Sequence, residues 1–113
     1  MSLAIHAAEP IPAPTWQDEF NVPGAPDPAK WDYEVGKVRN RESQFYTRAR
    51  PDNAVVENGN LVITARQERW SEAGKKAAYT SASVITKGKQ EFGFGRFEVR
   101  AKLPSGRGLW PAI

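Results

Sequence analysis

Val55-Val56-Glu57-Asn58-Gly59-Asn60-Leu61-Val62-Ile63-Thr64-Ala65 decides the fold class. Asn58-Gly59 supplies the two positive-φ residues of a type I′ turn, whose twist matches the strands it joins. Runs rich in β-branched and aliphatic residues flank it, so the stretch predicts a β-hairpin. In the second arm Leu61, Ile63 and Ala65 share one face at the strand period of two.

The same grammar extends outward from the hairpin. Upstream, Thr15–Phe20, Trp31–Val35 and Gln44–Thr47 read as short strands. Between the first two, Pro23, Pro26 and Pro28 exclude a central strand. Downstream, a loop with Ser71, Gly74, Lys75 and Lys76 leads to a strand over Tyr79–Thr86, which turns near Lys87-Gly88-Lys89. A last strand over 96–103 alternates strictly. Phe97, Val99, Ala101 and Leu103 lie on one side, and Arg96, Glu98, Arg100 and Lys102 on the other. Pro104-Ser105-Gly106-Arg107-Gly108 breaks it before Leu109-Trp110. Nine Gly and nine Pro punctuate these runs, and no window sustains a 3.6-residue period. The pattern predicts an all-β, antiparallel sandwich or barrel, with Trp16, Trp31, Phe94 and Phe97 in its core.

The 113 residues allow one domain. A chain 40% hydrophobic and 26% charged is too apolar for disorder. No apolar run approaches the roughly 20 residues of a membrane span. The formal charge is +3, with basic residues dispersed among acids rather than gathered in a patch, which argues against a nucleic-acid partner. Dispersed charge of this kind reads first as a solvated surface, and an anionic polysaccharide is the lesser alternative. There is no cysteine, hence no disulfide or thiolate metal site. Residues 1–14 read as a leader: either the remnant of a signal peptide or a disordered, Pro-rich lead-in. They lack the cationic start and roughly 7–15-residue apolar core of a complete signal.

His6 is the single histidine, which excludes a His-based triad or multi-histidine metal centre within the chain. The aromatic supply is generous, and Asn40-Arg41-Glu42-Ser43-Gln44-Phe45-Tyr46-Thr47 is dense in hydrogen-bonding side chains. If extended, it puts Asn40, Glu42, Gln44 and Tyr46 on one face. Such a stripe fits a groove that reads sugar hydroxyls, and fits a solvated edge strand almost as well. Glycoside hydrolysis needs two carboxyls about 5–5.5 Å apart for retention, or roughly 6.5–9.5 Å for inversion. Neither Asp18/Glu19 nor Glu57/Glu68 makes a convincing pair.

Five blocks in order resemble glycoside hydrolase family 16, and among its branches the bacterial laminarinases. They are Trp16-Gln17-Asp18-Glu19-Phe20, Asn40 to Thr47, Glu57 to Ile63, Gly95 to Pro104, and Gly108-Leu109-Trp110-Pro111-Ala112. The likeness runs over 15–113. It implies a jelly-roll β-sandwich of the concanavalin A-like type, of which this chain is about the first half. It also implies a retaining endo-glucanase acting on internal β-1,3 or mixed β-1,3/1,4 glucan bonds, secreted or periplasmic in a bacterium. The family's catalytic Glu-x-Asp-x-x-Glu occurs nowhere in the 113 residues. The expectation is therefore one wall of a cleft, inactive alone. The resemblance places glucan contacts at Asn40, Glu42 and Trp110. It also implies a structural calcium near Glu19 and Gly59, with no cofactor for catalysis. Many relatives carry a sugar-contacting arginine where Tyr79-Thr80-Ser81-Ala82-Ser83 places Ser83, which leaves the preferred glycan open, galactans included. A non-catalytic lectin-like module is the alternative reading. The apolar side of 96–103 is expected to need a complementary segment or self-association to cover it.

Overall fold

A computed structural model describes residues 7–113. Residues 1–6, with His6 and the start of the expected leader, lie outside the described residues; 7–14 are exposed and without regular structure. The described residues form seven strands and no helix. They are β1 (Asp32–Glu34), β2 (Gln44–Tyr46), β3 (Ala54–Glu57), β4 (Asn60–Ile63), β5 (Arg66–Glu72), β6 (Lys75–Ser81) and β7 (Ser83–Ile85). Among the described residues no helix is long and apolar enough to cross a membrane.

The hairpin β3–β4 forms as expected. Ala54 faces Ile63 and Glu57 faces Asn60, while Asn58 and Gly59 take φ of 50° and 71°, the signature of the primed turn. Its buried face differs from the expectation. Ala54 and Val56 of β3 are 3% exposed, whereas Ile63 is 48% exposed and Ala65 is exposed and lies beyond β4. The loop 21–28 clamps the β3 side, with Gly24 and Val56 exchanging backbone bonds of 2.9 and 2.7 Å. That contact buries Val56 and leaves the β4 side open.

The stretch read as a loop after Ala65 is instead a second hairpin. β5 and β6 pair antiparallel around Ala73-Gly74, whose φ values of 50° and 74° again make a left-handed pair. Ala73 is a poor advertisement for such a turn, and the seven residues of β5 include four charges. Its interior is charged because it is the edge of the β2-β6-β5 sheet, where solvated side chains are favoured.

β6 and β7 are almost continuous, separated only by buried Ala82. This run organises the site. β6 pairs with β2 in parallel, Phe45 opposite Thr80, and β7 pairs antiparallel with β1, Glu34 opposite Ser83. Gly36 then bridges to Tyr46 through two 2.9 Å backbone bonds, so β7, β1 and β2 are stitched side by side.

Two expected strands are not formed. Over 15–20, Asp18 Oδ1 accepts the Phe20 N–H at 2.9 Å and Phe20 takes φ of 52°, a local turn that competes with extension. Over 96–103 the alternation is real but no strand of the described residues pairs with it, and a ladder needs a partner. Phe97, Val99 and Leu103 are 64%, 63% and 57% exposed, and Phe94 is fully exposed, so neither Phe belongs to the core. Trp16 and Trp31 are half-buried in an aromatic chain in which Trp16 meets Trp31 at 5.5 Å and Phe92 at 5.4 Å. The radius of gyration of 18.5 Å, against about 13 Å for a compact domain near this size, reflects the segment lying off the sheets.

The core proper is small: Phe45, Ala54, Val56 and Ala82, around a buried polar hub. Asn53 accepts from Thr47 Oγ1 at 2.8 Å and donates to Thr64 O and Thr80 Oγ1, both at 3.0 Å. Arg50 binds Asn53 Oδ1 at 2.9 Å and Glu68 Oε1 at 2.5 Å, and its guanidinium lies 4.7 Å from the Trp70 ring centre. Every buried side-chain polar atom of the described residues has a partner.

Candidate functional site

The side chains of β2 divide by parity. Phe45 turns inward, 2% exposed, against Trp70 and the bare backbone of Gly36. Gln44 and Tyr46 turn outward with Glu42, at the strand period of two. Gln44 Nε2 donates to Glu42 Oε2 at 2.6 Å and to Tyr46 Oη at 2.9 Å, and Tyr46 Oη reaches Glu42 Oε2 at 3.3 Å. The row is therefore a bonded unit rather than a set of independent solvated chains.

Asn40 reaches this unit by a turn, not by extension. Asn40 and Arg41 take φ of 56° and 54°, and Glu42 N bonds back to Arg39 O at 3.2 Å. The reversal brings Asn40 Nδ2 within 3.3 Å of Glu42 Oε1. An open concavity of about 460 Å³ runs along Lys37, Val38, Arg39, Asn40, Arg41 and Glu42.

Glu34 Oε2 accepts the Ser83 hydroxyl at 2.6 Å and the Arg39 guanidinium. These two donors hold the Glu34 carboxyl below the usual carboxylate range. Arg39 in turn lies 6.0 Å from the Tyr46 ring centre. Asn40, Glu42 and Ser83 thus join one polar surface. Trp110 does not: it is 89% exposed on the C-terminal segment, outside these hydrogen bonds.

Glu34 and Arg39 did not stand out in the sequence. Glu34 gains its role from Ser83, 49 residues away, through a register that only the fold supplies. Gln44 and Tyr46 were legible from alternation alone.

The surface alternates acceptors (Glu34, Glu42) with donors (Arg39, Asn40, Gln44) beside an aromatic ring, the repertoire that hydroxyl-rich ligands require. Of its carboxyls Glu34, held ionised by Ser83 and Arg39, is suited to accept hydrogen bonds.

Glu19 is exposed, and Gly59 sits at the exposed hairpin tip. Calcium takes six to eight oxygens. These positions offer one carboxylate and backbone carbonyls, and no group of three or more metal-binding side chains converges among the described residues.

Comparison with known proteins gives the same orientation throughout. The sequence profile of the glycosyl hydrolases family 16 matches residues 41–113. The chain is 55% identical over 100 residues to a beta-glucanase of Rhodothermus marinus, covering 87% of this chain and 34% of that protein. It superposes with a TM-score of 0.64 and 45% identity on a non-specific endo-beta-1,3(4)-glucanase co-crystallised with 1,3-beta-D-cellotriosyl-glucose, over 69% of this chain and 33% of the other. A Z. galactanivorans protein in complex with laminaritriose and laminaritetraose gives 0.56 and 42% identity, over 59% and 29%. The chain spans about a third of the length of these relatives. With its all-strand architecture and profile match over most of its length, the chain belongs to the glycosyl hydrolases family 16.

Proposed function

We propose that this chain forms one wall of a β-glucan-binding cleft in an endo-glucanase that cleaves internal β-1,3 or mixed β-1,3/1,4 bonds with retention. The observation that carries the reading is the bonded row of Asn40, Glu42, Gln44 and Tyr46, continued through Arg39 and Glu34 to Ser83. The relatives named above include a structure holding laminaritetraose and one holding a mixed-linkage glucan. Asn40 and Glu42 hydrogen-bond a glucosyl unit, and Ser83 orients the acceptor beside it. Trp110 supplies an aromatic platform for a sugar face, a role its exposed ring supports. A secreted or periplasmic location belongs to the same reading. So does cover for the exposed Phe97, Val99 and Leu103 by a complementary segment or a second copy. Calcium at Glu19 and Gly59 enters only if further oxygens join them.

The 113 residues hold no Glu-x-Asp-x-x-Glu, so the purified chain binds glucan without cleaving it. Laminarin titration and a reducing-sugar assay test this together. Binding that weakens in Trp110→Ala, with no release of reducing ends, supports the proposal. Failure of the wild type to bind, or turnover above a blank, overturns it.

A further inference from the structure

The second hairpin carries a surface that the groove does not use. Between Gln67 and Trp70, three steps along β5 answer two along β6, from Tyr79 to Ala77. This is a β-bulge, and a bulge re-aims side chains. Strict alternation would put Arg69 and Trp70 on opposite faces. The bulge breaks the alternation where they meet, and both line one open concavity of about 320 Å³ with Ser71, Lys76 and Ala77. None of these five residues lines the concavity at 37–42.

The chemistry here is cationic and aromatic. Arg69 and Lys76 are exposed, and among the described residues neither has an ion pair or a side-chain hydrogen bond. Lys75, beside them at the turn, is in the same position. Against these three cations stands one carboxylate, Glu72, whose Oε2 accepts the Trp70 indole N–H at 3.2 Å. Glu68, the other acid of β5, is taken up by Arg50 and Thr80. Trp70 is half-buried and held before any ligand arrives, with the Arg50 guanidinium 4.7 Å and the Phe45 ring 6.4 Å from its ring centre. Charges dispersed along the sequence are thus gathered by the fold beside a fixed indole.

A small anion would meet the cations and leave the indole unused. A neutral sugar would use the indole and leave the cations unpaired. A chain of sugar rings that carries acidic groups answers both. We infer that the bulge concavity is a second glycan site, separate from the groove, that takes an acidic polysaccharide. Arg69 and Lys76 pair with its sulfate or carboxylate groups, and Trp70 takes the apolar face of a ring. β5 and β2, the strand of Gln44 and Tyr46, are the outer strands of one sheet, with axes about 10 Å apart. The site therefore holds the chain on an acidic matrix while the groove stays free for a neutral glucan.

The experiment is calorimetric titration of the chain, at about 150 mM salt, with oligosaccharides of chondroitin sulfate and of hyaluronan, and with laminaritetraose. The wild type binds chondroitin sulfate, more weakly as salt rises. Binding of hyaluronan as well assigns the site to any acidic group, and its absence assigns it to sulfate. Arg69→Gln combined with Lys76→Gln weakens the acidic glycan about tenfold and leaves laminaritetraose within about twofold. Lys87→Gln combined with Lys89→Gln removes the same charge elsewhere and leaves the acidic glycan within about twofold. The Trp70 indole N–H resonance, identified by its loss in Trp70→Phe, moves on titration. No binding of either acidic glycan, equal losses in the two double variants, or an unmoved indole resonance overturns the inference. So does a parallel loss of laminaritetraose on removing Arg69 and Lys76, or equally tight binding of single-stranded DNA of matched charge. A wild type that binds acidic glycan but not laminaritetraose overturns the groove and leaves this site standing.

Discussion

Asn53 Nδ2 donates to Thr80 Oγ1 at 3.0 Å across 27 residues, with both side chains almost wholly buried. The bond ties the turn before β3 to the middle strand of the three-stranded sheet, and β6 runs on into β7 beside the candidate groove. Asn53→Ala removes the bonds to Thr47 Oγ1, Thr80 Oγ1 and the Thr64 carbonyl from the buried hub at one stroke. It is expected to cost about 2–3 kcal/mol, read as a lowered urea midpoint at constant slope. A loss below about 0.5 kcal/mol would show that water replaces the amide without penalty.

Glu68 gives the hub a pH signature. Its carboxyl is drawn from 4.5 down to about 2 by hydrogen bonds from Arg50 and Thr80, with Arg66 adding a more distant positive charge. Because the folded value is the lower one, its stabilisation is complete above about pH 4.5 and is lost as pH falls through about 2. Glu68→Gln should flatten the acid limb of stability against pH relative to wild type. Parallel acid limbs would contradict the assignment.

The turn at Asn58-Gly59 separates backbone from packing effects. A Cβ at Gly59 meets nothing within 4 Å, yet φ is 71°. Gly59→Ala should therefore destabilise by about 1–2 kcal/mol through conformation alone. Gly93→Ala, equally unobstructed and without a positive φ, should be close to neutral. Equal effects on the thermal midpoint at both sites would refute the distinction.

The segment after Gly95 predicts association. Phe97, Val99, Leu103, Leu109, Trp110 and Ile113 are all at least 48% exposed. So many large apolar side chains left open on one segment favour burial against a partner surface. Sedimentation should show a species larger than the monomer that shrinks in Phe97→Asp. A monodisperse monomer at high micromolar concentration would contradict this.

What could be read from the sequence was local. Asn58-Gly59 specifies its own turn chemistry, and the alternation from Glu42 to Tyr46 needs no partner to be seen. β5 was missed because its turn uses Ala73 rather than an Asn before Gly74, and because edge position rather than hydrophobicity shapes its seven residues. The 96–103 alternation is real, but the strand expected from it does not form among the described residues, since pairing is a property of two segments. Likewise Asn40 was placed on the right face for a different reason, a left-handed reversal instead of an extended run. Glu34 and Arg39 lay beyond reach because Ser83 meets them only through the β1–β7 register.

The account turns on where sugar touches the chain, and amide chemical-shift mapping with laminaritetraose measures that directly. The account predicts shifts concentrated at Glu34, at Arg39 to Tyr46 and at Ser83, with the β3–β4 hairpin unmoved. Shifts confined to β5 or the hairpin, or none at saturating sugar, would contradict it.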